Sequence, residues 1–152
     1  MIISETAEEM PVLQLKRVMA APPERVFAAW TTPDAIKVWF GPENCRVLEA
    51  QVDLRVGGEF CVSLSTPKLG EIKVRGHYRE VIPPAKLAYT WRWEGNPELA
   101  AGISLVTVEF IPIGTGTEIY LIHEQLPSVQ ARDAHGLGWS GAFDQLEKYL
   151  AS

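Results

Sequence analysis

Between residues 44 and 124 the side chains change character every second residue, and this alternation constrains the fold more than any other feature. CRVLEAQVDL, EFCVSLS, EIKVRGHYREVI, KLAYTWRWE, SLVTVEFIPI and TEIYLIHE each read as a strand. In EFCVSLS, Phe60, Val62 and Leu64 alternate with Cys61 and Ser63. In KLAYTWRWE, Leu87, Tyr89, Trp91 and Trp93 share one side, with Ala88, Thr90 and Arg92 on the other. A period of two buries one face of a strand and wets the other, which suits an antiparallel sheet. Gly57-Gly58 is expected to supply the positive φ angles of a tight hairpin, and Gly114-Thr115-Gly116 a second turn. With VLQLKRVMA (12–20) as a further strand, seven strands on short connections predict one antiparallel meander.

A sheet with one apolar face needs a cover. In SVQARDAHGLGWSGAFDQLEKYL the spacing turns helical, with Trp139, Ala142, Phe143, Leu146, Tyr149 and Leu150 on one stripe and Ser128 at the N-cap. Gly136, Gly138 and Gly141 crowd the first half of this helix, each at about 0.5–1 kcal/mol relative to alanine. Missing side chains on a helix that faces a sheet either allow close packing or leave volume. With Trp139 and Phe143 alongside, volume is the expectation.

Ahead of the sheet lies AAWTTPDAIKVWFGP, whose two prolines forbid one continuous helix. ERVFAAW, started by Pro22-Pro23, puts Val26, Phe27 and Trp30 on one face. Thr32 is expected to cap a second helix, from 33 to about 39, with Pro33 at its first position and Gly41-Pro42 as its stop. The order strand, two short helices, six strands, long helix predicts an α+β helix-grip fold. A curved antiparallel sheet wraps the C-terminal helix, and the two short helices plug the end. Residues 1–11 are expected to be a loose leader and 12–152 a single domain.

Composition removes several roles. Hydrophobic residues make up 47% and charged ones 22%, as in a soluble globular protein. The net charge of -5 and the lack of a basic run argue against nucleic acid and membrane surfaces as partners. No apolar run approaches the roughly 20 residues needed to span a bilayer, and MIISETAEEM does not read as a signal peptide. Cys45 and Cys61 read as reduced cysteines, and the expected location is the cytoplasm.

VFAAWTTPDAIKVWFGP, VDLRVGGEF, YREVIPPAKLAYTWRWE, VTVEF and HGLGWSGAFDQLEKYL, in this order, resemble the activator-of-heat-shock-protein-90-ATPase-like family. The resemblance runs over about residues 15–151 and places the chain in the START-like, polyketide-cyclase/ligand-transport superfamily. It implies a helix-grip fold with a deep cavity between sheet and long helix. It implies little about chemistry, and it adds a chaperone to the partners to consider.

The candidate ligand-binding residues follow from these faces. Trp39, Phe40, Trp91 and Trp93 are placed near the cavity mouth, where core and ligand-lining readings are both open. Phe60, Tyr78 and Trp139 converge between sheet and helix, and Gly138 thins the helix beside them. Trp30 and Phe143 read as core. His123 alternates with Ile119 and Leu121, so it points inward, either as a hydrogen-bonded core group or as a ligand-orienting one. His77 should face solvent, His135 lies near the mouth with its orientation open, and Asp53 and Arg55 read as structural.

No catalytic motif, metal-binding spacing or cofactor loop is present in the sequence. The faces predicted for the three histidines disagree, which argues against a metal site. The expected function is binding of a small, mainly hydrophobic molecule, without catalytic residues, metal or cofactor. The alternatives are a chaperone-interaction module using the acidic outer face and a cyclase- or hydratase-like enzyme built on His123 and Tyr78. A monomer and a homodimer are both open.

Overall fold

Alternation in the sequence becomes burial in the sheet. The computed structural model describes residues 10–97, 99 and 102–151; residues 1–9 of the expected leader lie outside them. Seven strands form one antiparallel sheet: β1 (Leu13–Met19), β2 (Arg46–Val52), β3 (Glu59–Thr66), β4 (Gly70–Ile82), β5 (Lys86–Glu94), β6 (Ser104–Ile113) and β7 (Gly116–Glu124). The helices are α1 (Pro23–Thr31), α2 (Pro33–Trp39) and α3 (Val129–Ala151). The inward faces supply Val62, Val74, Leu87, Val106, Val108, Ile119 and Leu121, none more than 1% exposed. α3 lays Trp139, Ala142, Phe143, Leu146 and Leu150 against them. This is the helix-grip arrangement that the order of elements predicts.

The meander holds for β2 to β7 only. The spatial order is β1-β7-β6-β5-β4-β3-β2, so β1 and β2 sit on opposite edges. β1 pairs with β7, Leu15 facing Leu121, and α1 and α2 carry the chain across to the far edge. Periodicity reports which face of a strand is buried, not which edge of the sheet it joins.

Curvature has local causes. Register shifts interrupt β2–β3 between Val47 and Glu49 and β4–β5 between Tyr78 and Glu80. Such bulges bend a strand and increase its twist. At Gly76 a Cβ would stand 1.8 Å from the Thr90 carbonyl oxygen, so only glycine allows the two strands to approach there.

One turn assignment needs correction. Of Gly57-Gly58, only Gly57 has positive φ, at 86°. Gly58 is required because a Cβ would lie 2.0 Å from the Asp53 carbonyl oxygen. The connection is a six-residue loop rather than a tight hairpin, and it is stitched to β4. The Gly57 N–H donates to the Tyr78 carbonyl at 2.8 Å, and the Tyr78 N–H donates to the Gly58 carbonyl at 2.9 Å. Thr32 occupies the N-cap of α2 with extended backbone, but its side chain makes no cap hydrogen bond. Pro33, at the first helical position, removes an N–H that would have had no acceptor within the helix. Ser128 does cap α3, its Oγ accepting from the Ala131 N–H at 3.1 Å.

The three helix glycines separate by what a side chain would meet. A Cβ at Gly141 would lie 2.8 Å from Pro42 Cβ and 3.1 Å from its Cα, so this glycine serves close packing, contrary to the expectation of volume. A Cβ at Gly136 would meet Leu13 Cδ1 at 3.3 Å. At Gly138 nothing lies within 4 Å. Among the described residues no helix is long and apolar enough to cross a membrane.

These environments predict opposite signs. Gly138→Ala should stabilise the fold by about 0.5–1 kcal/mol through helix propensity. Gly141→Ala should destabilise it, because the proline ring and its backbone must move. Urea unfolding of the two variants checks the pair.

Candidate functional site

Packing is complete at one end of the grip and stops at the other. Deep in the fold, Trp30 meets Trp39, Phe110 and Phe143 at ring-centroid separations of 4.7, 5.5 and 6.0 Å. The Trp39 N–H donates to the Ala29 carbonyl at 2.8 Å, and the Trp30 N–H to the Tyr89 hydroxyl at 3.1 Å. A void of about 20 Å³ lies there, among Trp39, Phe60, Tyr78 and their neighbours. That is room for a single water.

Toward the N-terminal half of α3 a cavity of about 600 Å³ opens. Its floor and one wall are Trp91, Trp93 and Ile72 from the sheet. The opposite wall is α3, through Ala134, His135, Gly138, Trp139 and Ala142. The chain leaving α2 supplies Phe40, Gly41, Pro42 and Cys45, and the β3–β4 hairpin supplies Leu64, Lys68 and Leu69. Leu137, 79% exposed, stands at the rim. Among the described residues, Lys68 is the one charged side chain in the lining, beside the polar Asn44 and Thr66.

Of the nine residues expected to bind ligand, Phe40, Trp91, Trp93, Gly138 and Trp139 line this cavity. Four do not. Trp39 is 1% exposed and locked into the core by its bond to Ala29, so the mouth position expected for it is corrected. Phe60 and Tyr78 border the small inner void, because Phe60, Tyr78 and Tyr89 pack on one another with centroids 5.0 to 5.9 Å apart. Burial pushes the Tyr78 hydroxyl up, so it stays neutral. His123 is fully buried behind the Trp91–Trp139 wall. Trp30 and Phe143 are core, as expected, and His77 faces solvent. Arg55 Nε pairs with Asp53 at 3.0 Å on the surface.

His123 holds the wall in place. An indole N–H can only donate, so the Trp139 N–H, 3.2 Å away, makes His123 Nδ1 an acceptor. Nε2 then carries the proton and donates to Ser104 Oγ at 2.8 Å. Ser104 in turn donates to the Trp91 carbonyl at 3.4 Å. Burial, followed by the charge of His135, pushes the His123 pKa down from 6.5 to about 3.

His135 is the functional-site residue whose placement sequence reasoning left open. It lies one helical turn before Trp139, and that i, i+4 spacing was the available signal. Its Nδ1–H donates to the Ala131 carbonyl at 2.7 Å, and its Nε2 accepts the Trp93 N–H at 2.9 Å. Burial lowers its pKa, opposed by the Ala131 bond. The His123 and His135 rings lie 4.8 Å apart, closer than their strand and helix faces suggested. Both lone pairs that could bind a metal are already taken by indole N–H groups. Cys45, on the cavity wall, has its thiol pushed up by burial, which keeps it protonated and a poor nucleophile.

One donor is left over. Trp91 Nε1 is buried without a hydrogen-bond partner among the described residues. Such a group costs about 1–3 kcal/mol.

The family described as Activator of Hsp90 ATPase homolog 1-like protein matches residues 20–151. The chain belongs to that family. No curated protein matches it. Among solved structures, this family member is similar to protein CV1439 of Chromobacterium violaceum, with 29% identity over 93% of this chain and 97% of that one and a TM-score of 0.81. Protein NE0264 of Nitrosomonas europaea has 27% identity over 92% and 94% of the two chains, with a TM-score of 0.77. The AHSA1 protein of Silicibacter pomeroyi has 26% identity over 93% and 98%, with a TM-score of 0.81. These likenesses extend the helix-grip fold over nearly the whole chain.

In this AHSA1-like chain the neutral His123 makes stability depend on pH. Its folded pKa of about 3 lies below the ordinary 6.5, so below pH 6.5 the unfolded chain binds a proton that the folded one refuses. Stability is therefore full above about pH 6.5 and falls as pH drops toward 3. Between pH 7 and 5 His123 should account for a loss of ~2 kcal/mol. Chemical denaturation at the two pH values checks this, with His123→Gln expected to show a shallower dependence.

Proposed function

We propose that this protein holds a small, mainly apolar molecule in the cavity between β3–β5 and the first half of α3. One observation carries the reading: beside Gly138 the fold leaves about 600 Å³ unfilled, walled by rings and aliphatic side chains. Pockets that bind small molecules occupy about 300–1,000 Å³ and are lined in the same way, with few polar groups. A solvent-facing apolar hollow of this size is costly unless something uses it. The ligand contacts we assign are Phe40, Trp91, Trp93, Gly138 and Trp139, with His135 added.

Catalysis is not part of the proposal. A cyclase-like reaction would use His123 with Tyr78, and neither residue borders the cavity. Contact with a chaperone, suggested by the family's description, forms a second reading; it would use the outer acidic surface and leave the cavity without a role. We read residues 12–152 as one domain working in the cytoplasm.

The neutral fluorophore N-phenyl-1-naphthylamine tests the cavity. Its emission should rise and shift to the blue on mixing with the protein. Gly138→Leu, which fills open space, should weaken that binding by tenfold or more while keeping the urea midpoint within the range of ordinary surface variants. Unchanged binding by a folded Gly138→Leu would place the dye elsewhere and remove the support for this site.

A further inference from the structure

The cavity is not lined evenly. Its larger aliphatic side chains, Leu64, Leu69 and Leu137 among them, come from β3, the β3–β4 hairpin and α3. Its rings come from β5, from α3 and from the segment that follows α2. Trp91 and Trp139 are each 4% exposed, their surface taken up by the protein behind them. Phe40, Trp93 and His135 are half-buried, so these are the lining rings with surface still to cover.

Trp93 is held firmly while remaining half-buried. Its N–H donates to His135 Nε2 at 2.9 Å, and the His135 Nδ1–H donates in turn to the Ala131 carbonyl at 2.7 Å. Its backbone is paired with Val74 of β4. The indole therefore cannot swing aside without breaking a hydrogen bond. Its ring neighbours among the described residues are Trp91 at 5.5 Å and His135 at 6.1 Å.

The angles between the rings matter as much as their positions. Trp93 stands at 88° to Trp91, whereas Phe40 is tilted only 33° from Trp91. The planes of Phe40 and Trp93 are therefore steeply inclined to each other. A flat guest between them can lie against one ring and turn its edge to the other, the two arrangements that aromatic pairs prefer. A flexible alkyl chain gains burial there but neither arrangement, and it loses more torsional freedom on binding than a rigid ring does.

We propose that the ligand carries a flat aromatic ring system, and that Trp93 is the platform on which this ring stacks. The assignment rests on the cavity reading above and narrows it. Phe40 supplies the second, inclined wall, and His135 keeps the platform from turning.

Naphthalene and trans-decalin test this, because they share one carbon skeleton and differ in aromaticity. Competition against bound N-phenyl-1-naphthylamine gives their affinities. Dividing each affinity by the probe's water-to-cyclohexane partition coefficient removes their difference in hydration. A lining that offers apolar area alone gives a corrected ratio near one, or favours decalin. An aromatic-selective lining should favour naphthalene by about threefold or more, as one or two aromatic pairs would. Trp93→Leu should lower that ratio by about twofold or more, whereas Trp93→Phe, which keeps a ring and loses the N–H, should retain it. Should Trp93→Leu fail to fold, nuclear Overhauser contacts between bound naphthalene and the Trp93 ring of the wild-type protein take its place, and their absence overturns the platform. A wild-type ratio near or below one overturns the aromatic assignment and leaves the receptor reading intact. An unchanged ratio in a folded Trp93→Leu, or an equal loss in Trp93→Phe, removes Trp93 as the platform. Failure of both probes, and of the fluorophore, to bind overturns the receptor reading as well.

Discussion

The Trp139 N–H donating to a fully buried, neutral His123 fixes the last helix against the sheet, and the shape of the interior follows from it. His123 belongs to β7, Ser104 to β6, the carbonyl that Ser104 meets to β5, and Trp139 to α3. Four elements are joined by one chain of three hydrogen bonds with defined donors. Inside a protein such a chain tolerates little displacement, because each broken member strands a polar group away from water. A second contact, the close approach of Gly141 to Pro42, fixes the helix against the segment leaving α2. Held at both points, α3 cannot slide to close the space opposite Gly138.

The aromatic residues divide accordingly. Trp30, Trp39, Phe110 and Phe143 interlock by edge-to-face and tilted contacts and make a rigid plug under the two short helices. Phe40, Trp91, Trp93 and Trp139 are the outer layer of the same cluster, each with one side on packed protein and another on the cavity. Trp91 belongs to both layers, bordering the inner void and the open cavity. Stiff rings supported from behind make walls that keep their shape when little fills the space between them.

Much of the fold was legible because burial in a sheet has a simple period. The inward faces of β3, β4 and β5, the stripe on α3 and the bounds of α2 all follow from spacing and from Pro and Gly. What escaped depends on contacts between residues distant in sequence. The partner of β1 is ninety or more residues away, and Gly58 is dictated by a carbonyl five residues back rather than by φ. The role of Gly141 was hidden because Pro42 lies far from it along the chain. The site divided in the same way. Trp91 and Trp93 could be placed from alternation, whereas Trp39 was misplaced because helical spacing gives a direction and not a depth. The β3–β4 hairpin residues Lys68 and Leu69 carried no signal at all.

The most direct measurement of the central claim is a crystal structure of the protein soaked with 1-bromonaphthalene, read through the anomalous signal of bromine. The account predicts a bromine peak between Gly138 and Ile72, with the helix unmoved and the Trp139–His123 bond intact. A crystal in which Leu64, Leu69 and Leu137 fold inward to occupy that space, with no bromine beside them, would contradict it.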